Sequence, residues 1–117
     1  MNTDSFTSFL EVMMRSEKAY QTKLIKKLET LFPGCFIVNN DPSENQGIPD
    51  ILILFKKQWA MLEIKLSNDS AQQPNQDYYV NKFGEMSFAS FISPQNEEEV
   101  LYDLQSTFGV SRQARIS

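Results

Sequence analysis

Two acids and a lysine stand where a core sheet should be. Asp50 immediately precedes the apolar run ILILF at 51–55, and Glu63 and Lys65 interrupt the run WAMLEIKL at 59–66. Charge within an apolar strand is costly unless it is paired or bound to metal. The two-residue period of a strand puts Glu63 and Lys65 on one face, together with Trp59 and Met61. On an ordinary half-exposed strand that face would meet solvent. Hairpin pairing points elsewhere. A loop of even length centred between Lys56 and Lys57 sets Asp50 directly opposite Glu63, on one face, with Cβ atoms only about 5 Å apart. Two carboxylates so close repel unless a cation lies between them. Together they make an oxygen site suited to Mg²⁺ or Mn²⁺. A loop of odd length or a bulge would break this register. Just upstream, Gly47 permits an unusual turn and Pro49 fixes its own φ before Asp50, which is also what a plain loop-to-strand turn requires.

The composition narrows the chemistry further. The chain has no histidine and one cysteine, so Ser-His-Asp and Cys-His triads and the usual zinc sites are excluded. Hydrolytic chemistry would have to run on carboxylates and a hard metal ion. Cys35 cannot form an intrachain disulfide, which fits a reducing compartment. No signal peptide is evident at the start, and the longest uninterrupted apolar run is five residues, so a cytoplasmic location is expected. The net charge of −4 argues against a general nucleic-acid coat. Yet residues 1–65 balance eight basic against eight acidic side chains, whereas 66–117 hold three basic and seven acidic. A local basic surface can therefore exist in the first half.

The elements that would position these residues are legible in the patterning. At 117 residues the chain is expected to form a single domain, with a helical lead at 1–15 and a loose tail at 109–117. Helical spacing runs from 4 to about 32, with a break allowed near Arg15-Ser16, and Pro33-Gly34 ends it. Strands are predicted at 35–39, 51–55 and 59–66, with a loop at 40–49 and a polar loop over 67–75. A helix follows at 75–83, stopped by Gly84, then a strand at 87–92. A last helix opens at Ser93 or Pro94 and runs through Gln105, with three glutamates in its first turns, where the helix dipole favours them. The result is an α/β fold of order αβββαβα, a small mixed sheet flanked by helices. Its first three strands run antiparallel, and the last is parallel to a neighbour through a crossover helix.

At this point the residues resemble a known family. GIPD at 47–50, a 13-residue step, and EIK at 63–65 resemble the PD-(D/E)XK nuclease superfamily. The longer pattern is similar to its VRR-NUC branch, which is related to Holliday junction resolvases: a helical glutamate at Glu17, the G-x-P-D turn, the E-x-K strand, and a glutamine opening a helix at Gln76. The similarity spans about residues 16–106. The chain departs from the pattern in its compact size, its acidic second half and its extra helical lead at 4–15. The resemblance implies a restriction-endonuclease-like core with Asp50 and Glu63 as metal ligands and the Ile64 backbone carbonyl completing the site. Lys65 would position or activate the attacking water. Glu17 would be an accessory ligand, and Gln76 would orient the lysine, the water or the DNA backbone. Read from the residues alone, Glu17 is equally a first-turn helix charge, and Gln73 could take the part given to Gln76.

These readings converge on a Mg²⁺- or Mn²⁺-dependent DNA endonuclease. A metal supplies both a nucleophile at neutral pH and a cation for the charge that builds on phosphorus, and a lysine beside it adds a preorganised positive charge. So small a domain has little surface for reading a long sequence, which favours branched or four-way junction DNA. Symmetric cutting of two strands would need a homodimer. A bacteriophage origin follows from the family alone, and in that case the location is the host-cell cytoplasm. The alternatives are a nicking, exonuclease or restriction-like activity, or a catalytically silent DNA-binding module. Lys18, Lys23, Lys26 and Lys27, with Lys56 and Lys57, are candidate phosphate contacts or a solvated face. Arg112 and Arg115 are a DNA-gripping tail or only a loose end. Tyr78, Tyr79, Phe83, Phe88 and Phe91 read as core more readily than as base-stacking groups. Trp59, on the site face, reads either as core or as a contact to a second copy.

Overall fold

The structure, a computed structural model, describes residues 3–66 and 74–111, with side chains described over 16–66 and 75–111. Helix α1 (Thr3–Leu31) leads into strands β1 (Phe36–Asn39), β2 (Ile51–Phe55) and β3 (Gln58–Ile64). Helix α2 (Pro74–Met86), strand β4 (Phe88–Ile92) and helix α3 (Glu97–Phe108) follow, in the predicted αβββαβα order. The four strands form one mixed sheet in the order β1-β2-β3-β4. The first three run antiparallel, and β4 lies parallel to β3 after the α2 crossover. Among the described residues, no helix is long and apolar enough to cross a membrane.

The β2–β3 connection sets the register of the site. Phe55 pairs with Gln58, leaving Lys56-Lys57 as a two-residue loop. Such loops need left-handed backbone to match the strand twist. Lys56 supplies it with φ 57°, the only positive φ outside glycine among the described residues. The ladder then pairs Ile51 with Leu62, and one further step sets position 50 opposite position 63.

The alternation of β2 and β3 divides the sheet into two faces. On one, Ile51, Ile53, Phe55, Ala60 and Leu62 join Leu24, Leu28 and Leu31 of α1 and Leu104 and Phe108 of α3 in a single buried cluster. Phe32, fully buried, meets Phe55 and Phe108 edge-on at 5.4 and 5.3 Å between ring centroids. The Tyr20 hydroxyl donates to Glu97 Oε1 at 2.8 Å, and Lys27 pairs with the same carboxylate, tying α1 to the start of α3. On the other face lie Leu52, Leu54, Trp59, Met61 and Glu63. Helix α2 packs on β3 and β4 there, with Phe83 edge-on to Trp59 at 6.0 Å.

Several boundaries differ from the sequence reading. Helix α1 runs unbroken through Arg15-Ser16. Helix α2 continues past Gly84 to Met86. Gly84 keeps a negative φ, and the chain turns instead at Ser87, whose N–H donates to Phe83 O and whose hydroxyl donates to Trp59 O. Strand β3 stops at Ile64, leaving Lys65 and Leu66 outside it. Helix α3 opens at Glu97 rather than at Ser93 or Pro94. The Asn96 side chain accepts from the Ser93 N–H at 2.7 Å, and the Asn96 N–H returns to Ser93 O, so residues 93–96 close a turn of their own. The helix runs on to Phe108, where Gly109 caps it in the left-handed conformation. Residues 67–73 of the expected polar loop and 112–117 of the expected tail lie outside the described residues.

The aromatic knot around Phe32 is where the fold is most exposed to a single change. Truncation of Phe32 to Ala is expected to cost about 3–5 kcal/mol, because it removes a fully buried ring and leaves a cavity between two elements. Urea unfolding of the variant checks this, and a loss below about 1 kcal/mol would show that the knot is dispensable.

Candidate metal centre

The acidic pair sits at the end of the sheet where β2 begins and β3 finishes. Asp50 is held from two sides. Its carbonyl accepts the Asn40 N–H at 2.9 Å, while Asn40 Nδ2 donates to Pro49 O at 2.9 Å. Its carboxylate accepts the Ile64 N–H at 2.8 Å through Oδ2. Glu63 is only 4% exposed. One of its oxygens, Oε2, accepts from Gln76 Nε2 at 2.8 Å, and the other, Oε1, is buried with no hydrogen-bond partner.

Gln76 is the hinge between acid and base. Its amide nitrogen faces Glu63, and its amide oxygen accepts from Lys65 Nζ at 2.7 Å. Only this amide orientation satisfies both neighbours. The lysine ammonium also lies 6.0 Å from the Phe91 ring centroid on β4. One carboxamide from α2 thereby bridges Glu63 at the end of β3 and Lys65 just beyond it.

The start of α2 is positioned by the loop before Asp50. Asn75 Nδ2 donates to Gln46 O at 3.2 Å. Gly47 has φ +93°, and a Cβ there would overlap Asn75 Cβ and come within 3.2 Å of the Gln76 nitrogen. The GIPD turn and the Gln76 helix are therefore in direct contact, and only glycine leaves room for it.

Burial is the main cause of the electrostatics here. Desolvation, then the neighbouring Asp50 charge, push Glu63 from its ordinary 4.5 to about 8, against the opposing pull of Lys65. Asp50 is also raised by burial, offset in part by the Ile64 N–H, by Lys65 and by hydrogen bonding with the Glu63 side chain. Glu17, exposed on α1, is raised by partial desolvation and by Asp50. It senses the site electrically.

Asp50, Glu63, Lys65 and Gln76 are therefore brought together as the sequence suggested. Glu17 stands at the margin: among the described residues, no three His, Cys, Asp or Glu side chains gather closely enough to hold a metal ion by themselves. The group that fits a hard cation is smaller, namely the two facing carboxylates with the Ile64 carbonyl beside them in the chain. What asks for one is the facing of two acids, Glu63 buried and Asp50 partly so; Glu63 Oε1 has no hydrogen-bond partner, though the same holds for both side-chain polar atoms of Gln105 in the core. Lys18, Lys23, Lys56 and Lys57 are all exposed, Lys56 lying 5.2 Å over the Phe55 ring, while Lys27 is committed to Glu97. Gln73, Arg112 and Arg115 lie outside the described residues. The sequence reading missed Asn40 and Asn75, which pin the turn. Nothing sets them apart from the other asparagines of the chain until the loop is folded.

Two outcomes follow. In the metal-free protein the folded state holds the Glu63 proton between the ordinary 4.5 and about 8, where the unfolded state has released it. The folded state thus binds more protons, and stability falls as pH rises through that window, by on the order of a few kcal/mol. Urea midpoints in EDTA at pH 5 and pH 8 should show the decline, and Glu63→Gln should flatten most of it; an unchanged slope would remove Glu63 as its source. Gly47→Ala should cost about 1–3 kcal/mol. Gly109→Ala, with φ +73° and nothing within 4 Å, supplies the comparison for backbone strain alone. Equal losses at the two positions would show that position 47 is not crowded.

In comparisons with known proteins, no family model, no curated protein and no solved structure matches the chain.

Proposed function

We propose that the protein is a metal-dependent DNA endonuclease that hydrolyses phosphodiester bonds, selective for branched or four-way junction DNA. The observation that carries this reading is the meeting of Asp50, Glu63, Lys65 and Gln76 at one sheet end, with a buried Glu63 oxygen left unpartnered. Resemblance of the GIPD and EIK segments to PD-(D/E)XK nucleases of the VRR-NUC branch supports it. Asp50, Glu63 and the Ile64 carbonyl would hold Mg²⁺ or Mn²⁺, with Glu17 as an outer carboxylate. When bound, such a cation offsets phosphate charge and lowers the pKa of water.

The chain's own residues supply the rest. Asp50 is oriented by the Ile64 N–H, so its carboxylate is positioned before any ligand arrives. Glu63 would hold such a cation as a carboxylate, its proton passing to solvent. Lys65 brings a positive charge to the scissile phosphate and to the attacking water, and Gln76 holds that ammonium in place. A homodimer would deliver two such sites to a symmetric junction. The one cysteine suits a cytoplasmic setting, that of the host cell if the protein is phage-encoded.

A second reading, a DNA-binding module without catalysis, is favoured by one finding: among the described residues no third carboxylate closes on the pair. The two readings separate in one assay. Plasmid, linear duplex and four-way junction DNA are incubated with the protein in Mg²⁺ or in EDTA. We expect cleavage only in Mg²⁺ and fastest on the junction, with losses of about 100-fold or more for Asp50→Asn and Lys65→Ala. Binding without cleavage on every substrate favours the silent module. Cleavage that survives both substitutions would overturn the assignment of the site.

A further inference from the structure

On the face that carries Asp50 and Glu63, the rest of the sheet is apolar and partly uncovered. The register lays it out in rows across three strands: Phe36, Leu54 and Trp59 form one row, and Val38, Leu52 and Met61 the next. One more step of two residues along each strand reaches the row of Asp50 and Glu63. Phe36 is 66% exposed and Leu54 41%, although they stand directly opposite one another. Position 54 lies about 13 Å along the strand from position 50. Among the described residues of the sheet, the row between is Val38, Leu52 and Met61, with no acid in it.

Helix α2 walls this surface on one side and does so with aromatic rings. Phe83 meets Trp59 edge-on, and Tyr79 stacks on Phe83 at 5.7 Å with an interplanar angle of 13°. Tyr78 meets Tyr79 at 5.2 Å, is 57% exposed, and carries Lys82 over its ring at 5.9 Å. Lys82 falls on the flank that presents Tyr79, Asp77 is rotated about 160° from Tyr79, and the exposed Glu85 stands one turn beyond Lys82 on the same flank. Lys57 stands exposed on the hairpin just beyond the exposed row.

We infer that this face binds an unpaired segment of DNA, its bases lying on the Trp59–Leu54–Phe36 row and its phosphates meeting Lys82 and Lys57, with the strand leading into the Asp50–Glu63 site. The inference rests on the nuclease reading and adds the substrate class. Exposed rings beside apolar floor suit bases, which stack on aromatic groups whatever their sequence. A duplex keeps its bases stacked inside and would offer this surface only its charged backbone. Lys82 and Lys57 at the rim give a polyanion two points of contact that a second apolar surface would not use.

Trp59 is the only tryptophan of the chain, so its fluorescence reports on this face directly. We expect short oligothymidylate, added in EDTA, to quench Trp59 saturably, and a blunt hairpin duplex of similar charge to do so far less. Phe36→Ser and Leu54→Ser change exposed side chains and should leave the urea midpoint near that of the parent while weakening oligothymidylate binding about tenfold or more. Absence of quenching, equal quenching by duplex, or unchanged affinity in both variants overturns the inference. So does a result in which the variants split a dimer without altering affinity, since the face would then join two copies. Cleavage is scored separately in Mg²⁺. Quenching without cleavage keeps this surface and sinks the nuclease reading, whereas cleavage without quenching does the reverse.

Discussion

Two acids are held opposite each other across one antiparallel step, at one end of a small sheet. Their loss of water, and the repulsion that ionising both would bring, are what the surrounding structure must tolerate. The Ile64 N–H answers part of the Asp50 charge, and Gln76 answers half of the Glu63 carboxylate. The other half, Oε1, is left without a donor. An arrangement of this kind is costly in a chain that needs only stability, because a buried carboxylate pair is worse than two apolar side chains of similar size. The facing of the two acids is the strongest physical sign that the site serves a purpose beyond folding.

The remaining architecture can be ordered by how it serves that pair. The two-residue hairpin fixes the register, since a slip of one residue would turn Glu63 into the apolar cluster and Leu62 out of it. Parallel pairing of β4 with β3 carries Phe91 alongside Glu63 and thus near Lys65. The crossover that makes β4 parallel also delivers Gln76, so one topological choice supplies both the wall and the bridging amide. The GIPD turn leans on the start of the same helix through Gly47 and Asn75. Loop, helix and strand end form one interlocked unit, while the core that stabilises it lies on the opposite face of the sheet, around Leu28, Phe32 and Leu104.

Much of this was legible before folding, and the exceptions are instructive. The αβββαβα order followed from apolar periodicity and punctuation. The meeting of Asp50 and Glu63 followed from the assumption of an even loop at Lys56-Lys57, which a lysine in the left-handed conformation fulfils. Helix ends were less readable. Gly84 does not stop α2, because a glycine can keep helical dihedrals as easily as leave them. Ser93 does not open α3, because the Asn96 side chain gathers residues 93–96 into a turn first. The bridging geometry of Gln76 depends on a contact between residues 13 apart in the chain that no local pattern encodes. The same is true of Asn40 and Asn75. Tyr78 reads as core by composition and Trp59 as core or a contact to a second copy, and only the position of α2 over β3 and β4 shows how much of that face is left open.

The charge distribution connects the two faces of this account. An acidic chain cannot depend on counterion release to hold DNA, and its deficit of charge is gathered in the second half, with three glutamates heading α3. Those glutamates serve the fold: Glu97 anchors Tyr20 and Lys27, and all three sit where the helix dipole favours them. They belong to the helix that joins the core cluster, on the opposite face of the sheet from Asp50 and Glu63. On the proposed reading, the site face then needs little general positive charge. A cation between two carboxylates, one fixed lysine and an apolar floor for bases would together replace the broad basic surface that the sequence lacks. Such binding would be selective by construction, because only DNA with bases free to leave the stack could use all three.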